Sequence, residues 1–368
     1  MRHPPTAARE REQLVAALGM PGTDGMLTVE GHAITLTHLD RVYWPADPAT
    51  GSPPITKRDY LRYLIAVAPA LLPPLAGRPL TLFRWPTGIA GRRVRQKHWE
   101  IPLPAFVVRT AIFSESKGAA DEYILCDNLA TLLWLGHMGA LELHGWHSRV
   151  QPGPDSAVDS TLFAASLESL RGSVIEYPDY LLFDIDPFIY AGGEAPGRPP
   201  EHSAAAFEGC RRVALWLKEL LDGLRLTALL KTSGRTGLHV AVPIERTLPY
   251  EAVRDVARLI GDHVARAHPQ EVSVDWSVQS RTGKVFIDYN MNVRGKSMPA
   301  PWSVRGVPGA PVSMPLDWAE LAHVSPLEFR LDNALPRLRR HGGAWTAVLT
   351  GKQSLEAHVG DTAGRAGT

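Results

Sequence analysis

Acidic side chains end or interrupt two apolar runs, and this restricts how those runs can be buried. The run Tyr180–Phe183 leads directly into Asp184 and Asp186, and Asp288 lies inside the run Val285–Tyr289. Both runs predict β-strands, on which residues two apart point to the same face. A buried carboxylate is costly unless it is paired or binds a cation, and carboxylates are preferred ligands of Mg²⁺ and Mn²⁺. The pattern predicts a site for two divalent cations.

Two simpler interpretations stay open at this point. Pro187 follows Asp186, and an Asp-x-Asp-Pro segment is also a common way for a strand to end in a turn. Asp288 by itself could form an ordinary ion pair with an arginine or a lysine.

A glycine-containing turn between two further predicted strands could bind an anion. In Ser233–His239, SGRTGLH, two glycines let backbone N–H groups face an anion, and Ser233, Thr236 and His239 add side-chain donors. The turn is not a Walker A loop, since no Gly-Lys-Ser/Thr closes it, and it is not a G-x-S-x-G elbow. An ordinary glycine hairpin with an exposed histidine is the alternative.

A basic, aromatic segment precedes these motifs. Arg78–Lys97 holds six arginines and lysines and no acid, and Phe83 and Trp85 lie among them, with Trp99 just beyond. Basic side chains can follow a phosphate backbone while aromatic rings stack on bases, so the segment is typical of a nucleic-acid groove. A solvated basic loop is the alternative interpretation.

Composition indicates a folded protein and excludes several classes. The 368 residues carry a net charge of +1, and 45% are hydrophobic, so the chain can bury a core and has no general basic coat for nucleic acid. Cys126 and Cys210 are isolated, which excludes a Cys-x-x-Cys zinc site. The sequence shows no secretory signal or membrane-spanning run, and we expect a cytoplasmic protein that does not contact a membrane.

Predicted strands alternate with predicted helices, which indicates an α/β or α+β fold with a mixed sheet. We expect strands in AITLTHL, RPLTLFRWP and LTALLKTSGRTGLHVAVPI, and helices from Thr56, over Leu125–Leu143, over Ala204–Leu221 and over Tyr250–Ala267. We expect residues 1–30 to form an N-terminal extension, 31–349 to form the main domain with an insertion-like stretch over 151–176, and 350–368 to form a flexible C-terminal tail.

Several segments, in their order along the chain, resemble the polymerase domain of bacterial ligase D, a member of the archaeo-eukaryotic primase superfamily. They are ITKRDYLRYL, APALLPPLAGRPLTLFRWPTG, CDNLATLLWL, ELHGW, YLLFDIDP, KTSGRTGLHVAVPI and FIDYNMNVRGKSMPAPWSVRGVPGAPVSMPLDW. The resemblance covers about Gly31–Leu335 and implies a two-lobed primase-polymerase core with mixed β-sheets flanked by helices. The sequence contains no Lys-x-Asp-Gly ligase motif, so we expect a stand-alone polymerase domain.

The resemblance also implies roles for individual residues. The catalytic and metal-binding carboxylates would be Asp184, Asp186 and Asp288. Nucleotide-binding roles fall on Ser233, Gly234, Thr236, His239, Arg305 and His144, and for His144 a structural role in a helix-to-turn segment is the alternative. DNA-binding roles fall on Arg84, Lys97, Arg41 and Lys57, of which Arg41 and Lys57 match a pocket for the 5′-phosphate of a downstream strand. Both could equally be solvated surface charges.

The implied activity is metal-dependent, template-directed nucleotidyl transfer that uses Mn²⁺ or Mg²⁺ and NTP or dNTP substrates. It would fill gaps or extend 3′ ends during DNA double-strand break repair by non-homologous end joining, with ribonucleotides favoured. The implied partners are gapped or broken DNA, the end-binding protein Ku and a separate DNA ligase, in the cytoplasm at the nucleoid.

Other functions stay open. Within the same superfamily, the alternatives are a gap-filling excision-repair polymerase and a primase. A two-metal nuclease or phosphoesterase is a different class, and the anion-binding turn argues against it. A non-catalytic DNA-end-binding module is a further class, and it gives no reason to keep three mutually repelling carboxylates.

Overall fold

Helices and strands alternate along the chain, and the strands form two main sheets. The structure is a computed structural model that describes residues 4–19, 24–99, 102–188, 204–325 and 327–356. Within these ranges the helices are α1 Pro4–Leu18, α2 Lys57–Leu75, α3 Leu129–His137, α4 Leu167–Arg171, α5 Ala204–Gly223, α6 Tyr250–Ala267, α7 Val278–Arg281, α8 Leu338–His341 and α9 Ala347–Thr350. The strands are β1 Gly25–Val29, β2 His32–Leu36, β3 Val42–Trp44, β4 Ile55–Thr56, β5 Leu80–Arg84, β6 Val94–Gln96, β7 Arg109–Ser114, β8 Ala119–Ile124, β9 Ala140–Trp146, β10 Tyr180–Phe188, β11 Leu229–Thr232, β12 Leu238–Pro243, β13 Val272–Ser273, β14 Lys284–Asp288, β15 Ser297–Pro299 and β16 Pro315–Leu316. The mixed α/β class is confirmed.

The six-stranded sheet has the order β13-β14-β10-β12-β11-β16, and β10 lies inside it between two antiparallel neighbours. Phe183 and Ile185 pack in the main core, which includes residues of α5 and α6. Tyr180 and Leu182 join a separate cluster on the opposite face with Trp345. Because side chains alternate along a strand, the acidic residues of β10 share this second face.

The four-stranded sheet has the order β15-β9-β5-β6, and α2 is hydrogen-bonded to it. Helix α2 begins where the sequence predicts, because Thr56 and Asp59 form a reciprocal capping box. The Tyr60 hydroxyl donates to the Ala140 carbonyl of β9 at 2.7 Å, and the Tyr63 hydroxyl donates to the Trp302 carbonyl at 2.8 Å. These bonds join α2 to the strand that carries His144 and to the loop that carries Arg305.

The predicted helix over Leu125–Leu143 is wrong in its second half. Helix α3 ends at His137, Gly139 adopts a left-handed φ of 79°, and the chain continues as β9, which pairs with β5 and β15. A continuous apolar run has the same appearance in a buried helix and in a buried strand, so its periodicity could not separate the two. His144 therefore lies on a strand, not in a helix-to-turn segment.

The expected boundary at residue 30 does not separate an independent extension. Strands β1 and β2 form one hairpin across it, with Val29 paired to His32. Helix α1 packs against α2 and buries Leu14 and Leu18. The N-terminal segment therefore contributes to the core.

The insertion-like stretch 151–176 is packed into the fold. Phe163, Leu170, Val174 and Ile175 are buried in one cluster with Trp146 of β9. The stretch is mostly polar, so its composition did not predict that these four apolar side chains would be buried. Burial of the four side chains joins this stretch to the four-stranded sheet.

The first part of the expected flexible tail is folded against the domain. Gln353 forms a β-bridge with Ile244, Lys352 reaches the carboxylate of Asp179 at 2.7 Å, and Leu355 is buried. Residues 357–368 lie outside the described residues. In the part of the chain that the structure describes, helices fall short of the length or apolarity needed to cross a membrane.

Candidate active site

The three carboxylates predicted from the sequence meet on adjacent strands. Asp184 of β10 is the direct register partner of Asp288 at the end of β14, and Asp186 lies one pleat further along β10. Directly opposite residues of an antiparallel pair have their Cβ atoms about 5 Å apart on one face. Two carboxylates from one strand and one from its neighbour therefore converge.

The positive side chains near the three carboxylates do not fully compensate their negative charge. Burial raises the pKa of Asp184 to about 6, against the opposing effects of Lys231 and Arg305. Burial and then repulsion from Asp184 raise the pKa of Asp288 to about 6 and that of Asp186 well above its usual value. Each shift reports a carboxylate that is costly to ionise without further positive charge.

The donor set fits divalent cations. Asp184 Oδ1 is buried, and within the described residues it accepts no well-aligned hydrogen bond, although His239 Nε2 lies 3.1 Å away. Hard carboxylate oxygens that repel one another and retain unused lone pairs are suited to Mg²⁺ or Mn²⁺. The alternative for Asp288, an ordinary ion pair, is not among the ion pairs of the described residues.

A buried lysine orients His239 toward the carboxylates. His239 is the register partner of Asp184 on the β12 side. Lys231 is fully buried, contacts His239 Nδ1 and donates to Ser313 Oγ at 2.6 Å. Burial and the nearby Lys231 lower the pKa of His239 well below its usual value, so the ring is neutral. A neutral ring that accepts at Nδ1 carries its proton on Nε2, the atom that faces Asp184.

The turn Ser233–His239 is closed by its own backbone and clamped by an arginine. Ser233 Oγ accepts the backbone N–H groups of Arg235 at 3.2 Å and Gly237 at 3.1 Å, and Arg305 Nη1 donates to the Ser233 carbonyl at 2.6 Å. Gly234 adopts a φ of 73°, and a Cβ there would lie 2.7 Å from Arg305 Cγ. Thr236 is half-buried on the same turn. The glycine allows the close approach of turn and guanidinium.

Glu142 on β9 joins Arg235, Arg305 and His144, which form the cationic side of the site. Its carboxylate contacts Arg305 at 3.3 Å, Arg235 at 3.0 Å and His144 Nε2 at 3.1 Å. Burial alone would raise the pKa of Glu142, but Arg305 and His144 hold it well below its usual range. His144 is thus brought to the site through Glu142, and burial lowers its own pKa to about 4.

Arg84 ends strand β5 and Lys97 follows strand β6 of the four-stranded sheet. Phe83 contacts the His144 ring edge-on at 4.8 Å, while Arg84 donates to the Met138 carbonyl at 3.0 and 2.9 Å and lies over Trp99. Burial and then the nearby Arg95 lower the pKa of Lys97. Arg84 is therefore held in place by the fold, and Lys97 is in a cationic environment.

Arg41 and Lys57 lie next to each other near Tyr43, away from the carboxylates, and the Lys57 backbone N–H donates to the Arg41 carbonyl at 2.8 Å. Arg41 Nη1 donates to the Pro86 carbonyl at 3.1 Å, and Lys57 Nζ donates to the Thr37 carbonyl at 2.9 Å and lies 5.9 Å from the centre of the Tyr43 ring. Lys57 is only 4% exposed, so the interpretation of Lys57 as a solvated surface charge is wrong.

Sequence reasoning missed Lys231 and Glu142. Each is a charged residue within an apolar run, LLKT and LELHGW, and that is the signal that had singled out Asp288. Both are buried, at 0% and 1% exposure. The same criterion applied along the whole chain would have found them.

A further acidic group follows β16 at the edge of the six-stranded sheet. Asp317, Glu320 and His341 bring their ligand atoms together. Arg337 pairs with Glu320 at 2.9 Å, and Arg340 lies 3.4 Å from Asp317. Arginines therefore already compensate these carboxylates, unlike those of the main site.

Comparisons with known proteins identify the family of this chain. A family model described as "LigD, primase-polymerase domain" matches residues 56–345. The multifunctional non-homologous end joining protein LigD of Mycobacterium bovis is 29% identical over 311 residues, which are 84% of this chain and 36% of that protein. LigD of Pseudomonas aeruginosa is 31% identical over 289 residues, which are 78% of this chain and 29% of that protein.

A solved structure shares the fold. The polymerase domain of Mycobacterium tuberculosis ligase D, in complex with DNA, matches with a TM-score of 0.67 and 28% sequence identity, over 84% of this chain and 95% of that one. Fold and family together define a DNA-directed nucleotidyltransferase of the primase-polymerase type. The chain belongs to the LigD primase-polymerase domain family, and it spans about a third of the length of the curated relatives it matches.

Proposed function

We propose that this chain extends 3′ ends and fills short gaps at DNA double-strand breaks during non-homologous end joining, in a metal-dependent and template-directed reaction that favours ribonucleotides. The observation that carries the proposal is the pairing of three uncompensated carboxylates with a clamped, cationic glycine turn on the neighbouring strands. Polymerisation needs both, since a nucleoside triphosphate must be held while its α-phosphate is attacked.

Asp184, Asp186 and Asp288 are the residues that would hold two Mg²⁺ or Mn²⁺ ions. When bound, such ions lower the pKa of a 3′-hydroxyl and neutralise the charge of the leaving pyrophosphate. The carboxylates supply the negative oxygens, and the fold keeps them on adjacent strands before any ion binds. Preorganisation of this kind avoids a rearrangement during the reaction.

The cationic side would bind the triphosphate. Ser233, Gly234, Thr236, Arg305 and His239 would bind it beside Asp184. The Gly237 N–H and Arg305 Nη1 already donate within the turn, so they hold its shape, while His239 Nε2 lies 3.1 Å from Asp184. Glu142 fixes Arg305 and His144 in position. A rigid donor array binds phosphate oxygens at a smaller entropic cost than mobile lysines.

The remaining basic residues would bind DNA. Arg84 ends β5 and Lys97 follows β6, in the same sheet as the His144 strand β9, and both would contact the template strand. Arg41 and Lys57 would bind the 5′-phosphate of the strand downstream of a gap. Ku and a separate DNA ligase are the proposed protein partners, because the related proteins carry end joining in their names, and the nucleoid is the proposed location.

The test is primer extension on a gapped duplex by wild type and Asp288→Asn. Labelled primer is offered Mn²⁺ or Mg²⁺ with NTPs or dNTPs, with and without a downstream 5′-phosphate. Asp288 Oδ1 caps the backbone N–H of Asn290, and an asparagine oxygen keeps that bond, so we expect a folded variant that is slower by at least about 100-fold.

Asp222→Asn on the outer surface of α5 is the matched control and should extend the primer like wild type. Primer shortening by wild type would indicate the two-metal nuclease instead. Extension that ignores the template, or that survives in Asp288→Asn, would contradict the proposal, and a preference for dNTPs would overturn the ribonucleotide part alone.

A further inference from the structure

An exposed tryptophan lies beside the carboxylates on the side away from the glycine turn. Trp276 follows β13 and is 48% exposed, which is unusual for the largest apolar side chain. Its ring meets Phe286 of β14 nearly at right angles, with centroids 5.3 Å apart. The guanidinium of Arg281 lies 5.6 Å from the Trp276 ring and 4.8 Å from the Phe286 ring. The indole thus packs against Phe286 and Arg281, while about half of its surface stays accessible to solvent.

Register places this group on the catalytic face. Phe286 is the direct partner of Asp186 across the β10–β14 pair, so both side chains leave the same side of the sheet. Phe286 is buried at 5% exposure and joins the carboxylates to Trp276. The aromatic surface formed by Trp276 and Phe286 therefore continues the carboxylate site toward the β13 edge.

The chemistry of the proposed reaction decides what would lie there. Attack on an α-phosphate is in line, so the attacking oxygen and the leaving pyrophosphate lie on opposite sides of the phosphorus. The donors for the triphosphate are on the β12 and β11 side of Asp184, together with Arg305. The 3′-hydroxyl must then approach from the β14 side, where the aromatic surface lies.

We propose that Trp276 stacks on the 3′-terminal base of the primer strand and so positions its 3′-hydroxyl, an inference that rests on the proposed polymerase function. Arg281 Nη2 donates to the Trp276 carbonyl at 2.9 Å, which holds the guanidinium against the rings and places positive charge beside an approaching phosphate backbone. Stacking tolerates any base, as the end of a broken strand requires. Trp276 is a positioning residue in this proposal.

The test is equilibrium binding of a dye-labelled duplex with a recessed 3′ end, measured by anisotropy without nucleotide. Two primers are compared, one ending in a natural nucleotide and one ending in an abasic nucleotide. The duplex has no downstream strand, so the Arg41 and Lys57 pocket does not contribute. Aromatic stacking on a base is worth roughly 5- to 150-fold in affinity by alanine substitution.

We expect wild type to bind the natural end about tenfold more tightly than the abasic end, and Trp276→Ala to bind both ends equally. Trp276→Phe should restore most of the difference, and Trp276→Leu, which fills the space without a π-face, should not. Leu215→Ala removes an apolar side chain of similar exposure, 45%, from α5 and serves as the control.

Equal binding of both ends by wild type, or an unchanged preference in Trp276→Leu, overturns the inference. A loss in the variants that is the same for both primers also overturns it, since the lost contact would not be to the terminal base. Extension by wild type is measured separately. Its failure would reject the proposed polymerase function, while the binding comparison would still report on stacking.

Discussion

The burial of Lys57 would give the proposed 5′-phosphate site a pH response. Lys57 is the first residue of α2, its Nζ is fixed to the Thr37 carbonyl, and Arg41 lies nearby. Burial, and then the positive charge of Arg41, lower the pKa of Lys57 to about 8. A phosphate bound beside Lys57 would meet an ammonium group that is charged at neutral pH and loses its proton near pH 8.

The preference for a 5′-phosphate should therefore fall with rising pH. The folded pKa of Lys57 is depressed, so its ammonium form is present below about pH 8 and is lost above it, while a phosphate monoester stays dianionic over this range. We expect the affinity ratio of 5′-phosphate to 5′-hydroxyl gapped DNA to drop about tenfold between pH 7 and pH 9. Titrations at fixed ionic strength measure it.

Lys57→Arg should flatten this profile because arginine keeps its charge, and Lys57→Met should remove the preference at every pH. A ratio that stays constant from pH 7 to pH 9 in wild type would show that Lys57 does not contact the phosphate.

At the scale of elements, the site depends on how closely the β11–β12 turn approaches β10. Gly237 stands where the turn passes the strand, and a Cβ there would lie 2.3 Å from Asp186 Oδ1 and 2.3 Å from the Ile185 carbonyl. Both neighbours belong to the middle of a sheet and cannot move freely. The glycine thus sets the distance between the Ser233–His239 turn and the carboxylates.

Gly237→Ala should push these two elements apart. We expect a loss of about 1–3 kcal/mol in the free energy of unfolding, measured in urea, and a primer-extension rate reduced by more than the fraction unfolded explains. In Gly223→Ala, at the end of α5, the new Cβ meets no described atom within 4 Å, so stability should change little. Equal behaviour of the two variants would contradict this account.

At the scale of the whole molecule, a buried ion cluster joins segments that are distant in sequence. Asp179, just before β10, contacts Arg78 at 2.9 Å, Arg149 at 2.9 Å and Lys352 at 2.7 Å. Arg78 precedes β5 and Arg149 follows β9, so the cluster links the two sheets and the C-terminal segment. Burial would raise the pKa of Asp179, but Arg78 and Lys352 hold it well below its usual value.

Lys352→Met should loosen this link without unfolding the protein. Asp179 keeps Arg78, Arg149 and, at 3.8 Å, Arg246, so we expect a loss of about 1–3 kcal/mol, less than when the removal of a partner leaves a buried charge unpaired. Lys218→Met breaks an exposed pair on α5 and should cost at most about 0.5 kcal/mol. Urea unfolding of both variants gives the comparison, and a neutral Lys352→Met would mean that the C-terminal segment does not help to hold the sheets together.

Local patterns in the sequence were sufficient for the features that depend on neighbouring residues. The capping box at Thr56, helix α6 over Tyr250–Ala267 and strand β10 with its two aspartates follow from propensity, capping and alternation, which act over a few residues. A shared role for Asp184 and Asp288 was predictable because both are acids in apolar strands, and a buried carboxylate requires a positive partner such as a cation.

Tertiary structure alone decided what these residues face. The sequence does not show that Glu142 contacts Arg305 or that Lys57 is buried against the Thr37 carbonyl, because these contacts join segments that are distant in the chain. Lys231 contacts His239 across the paired strands β11 and β12, so that contact depends on the register of the pair. The division of Leu125–Leu143 into α3 and β9 was likewise settled by pairing with β5 and β15. Strand pairing and burial depend on the packing of the whole chain. Interactions between charged side chains are stronger in a buried site, so they depend on the same packing.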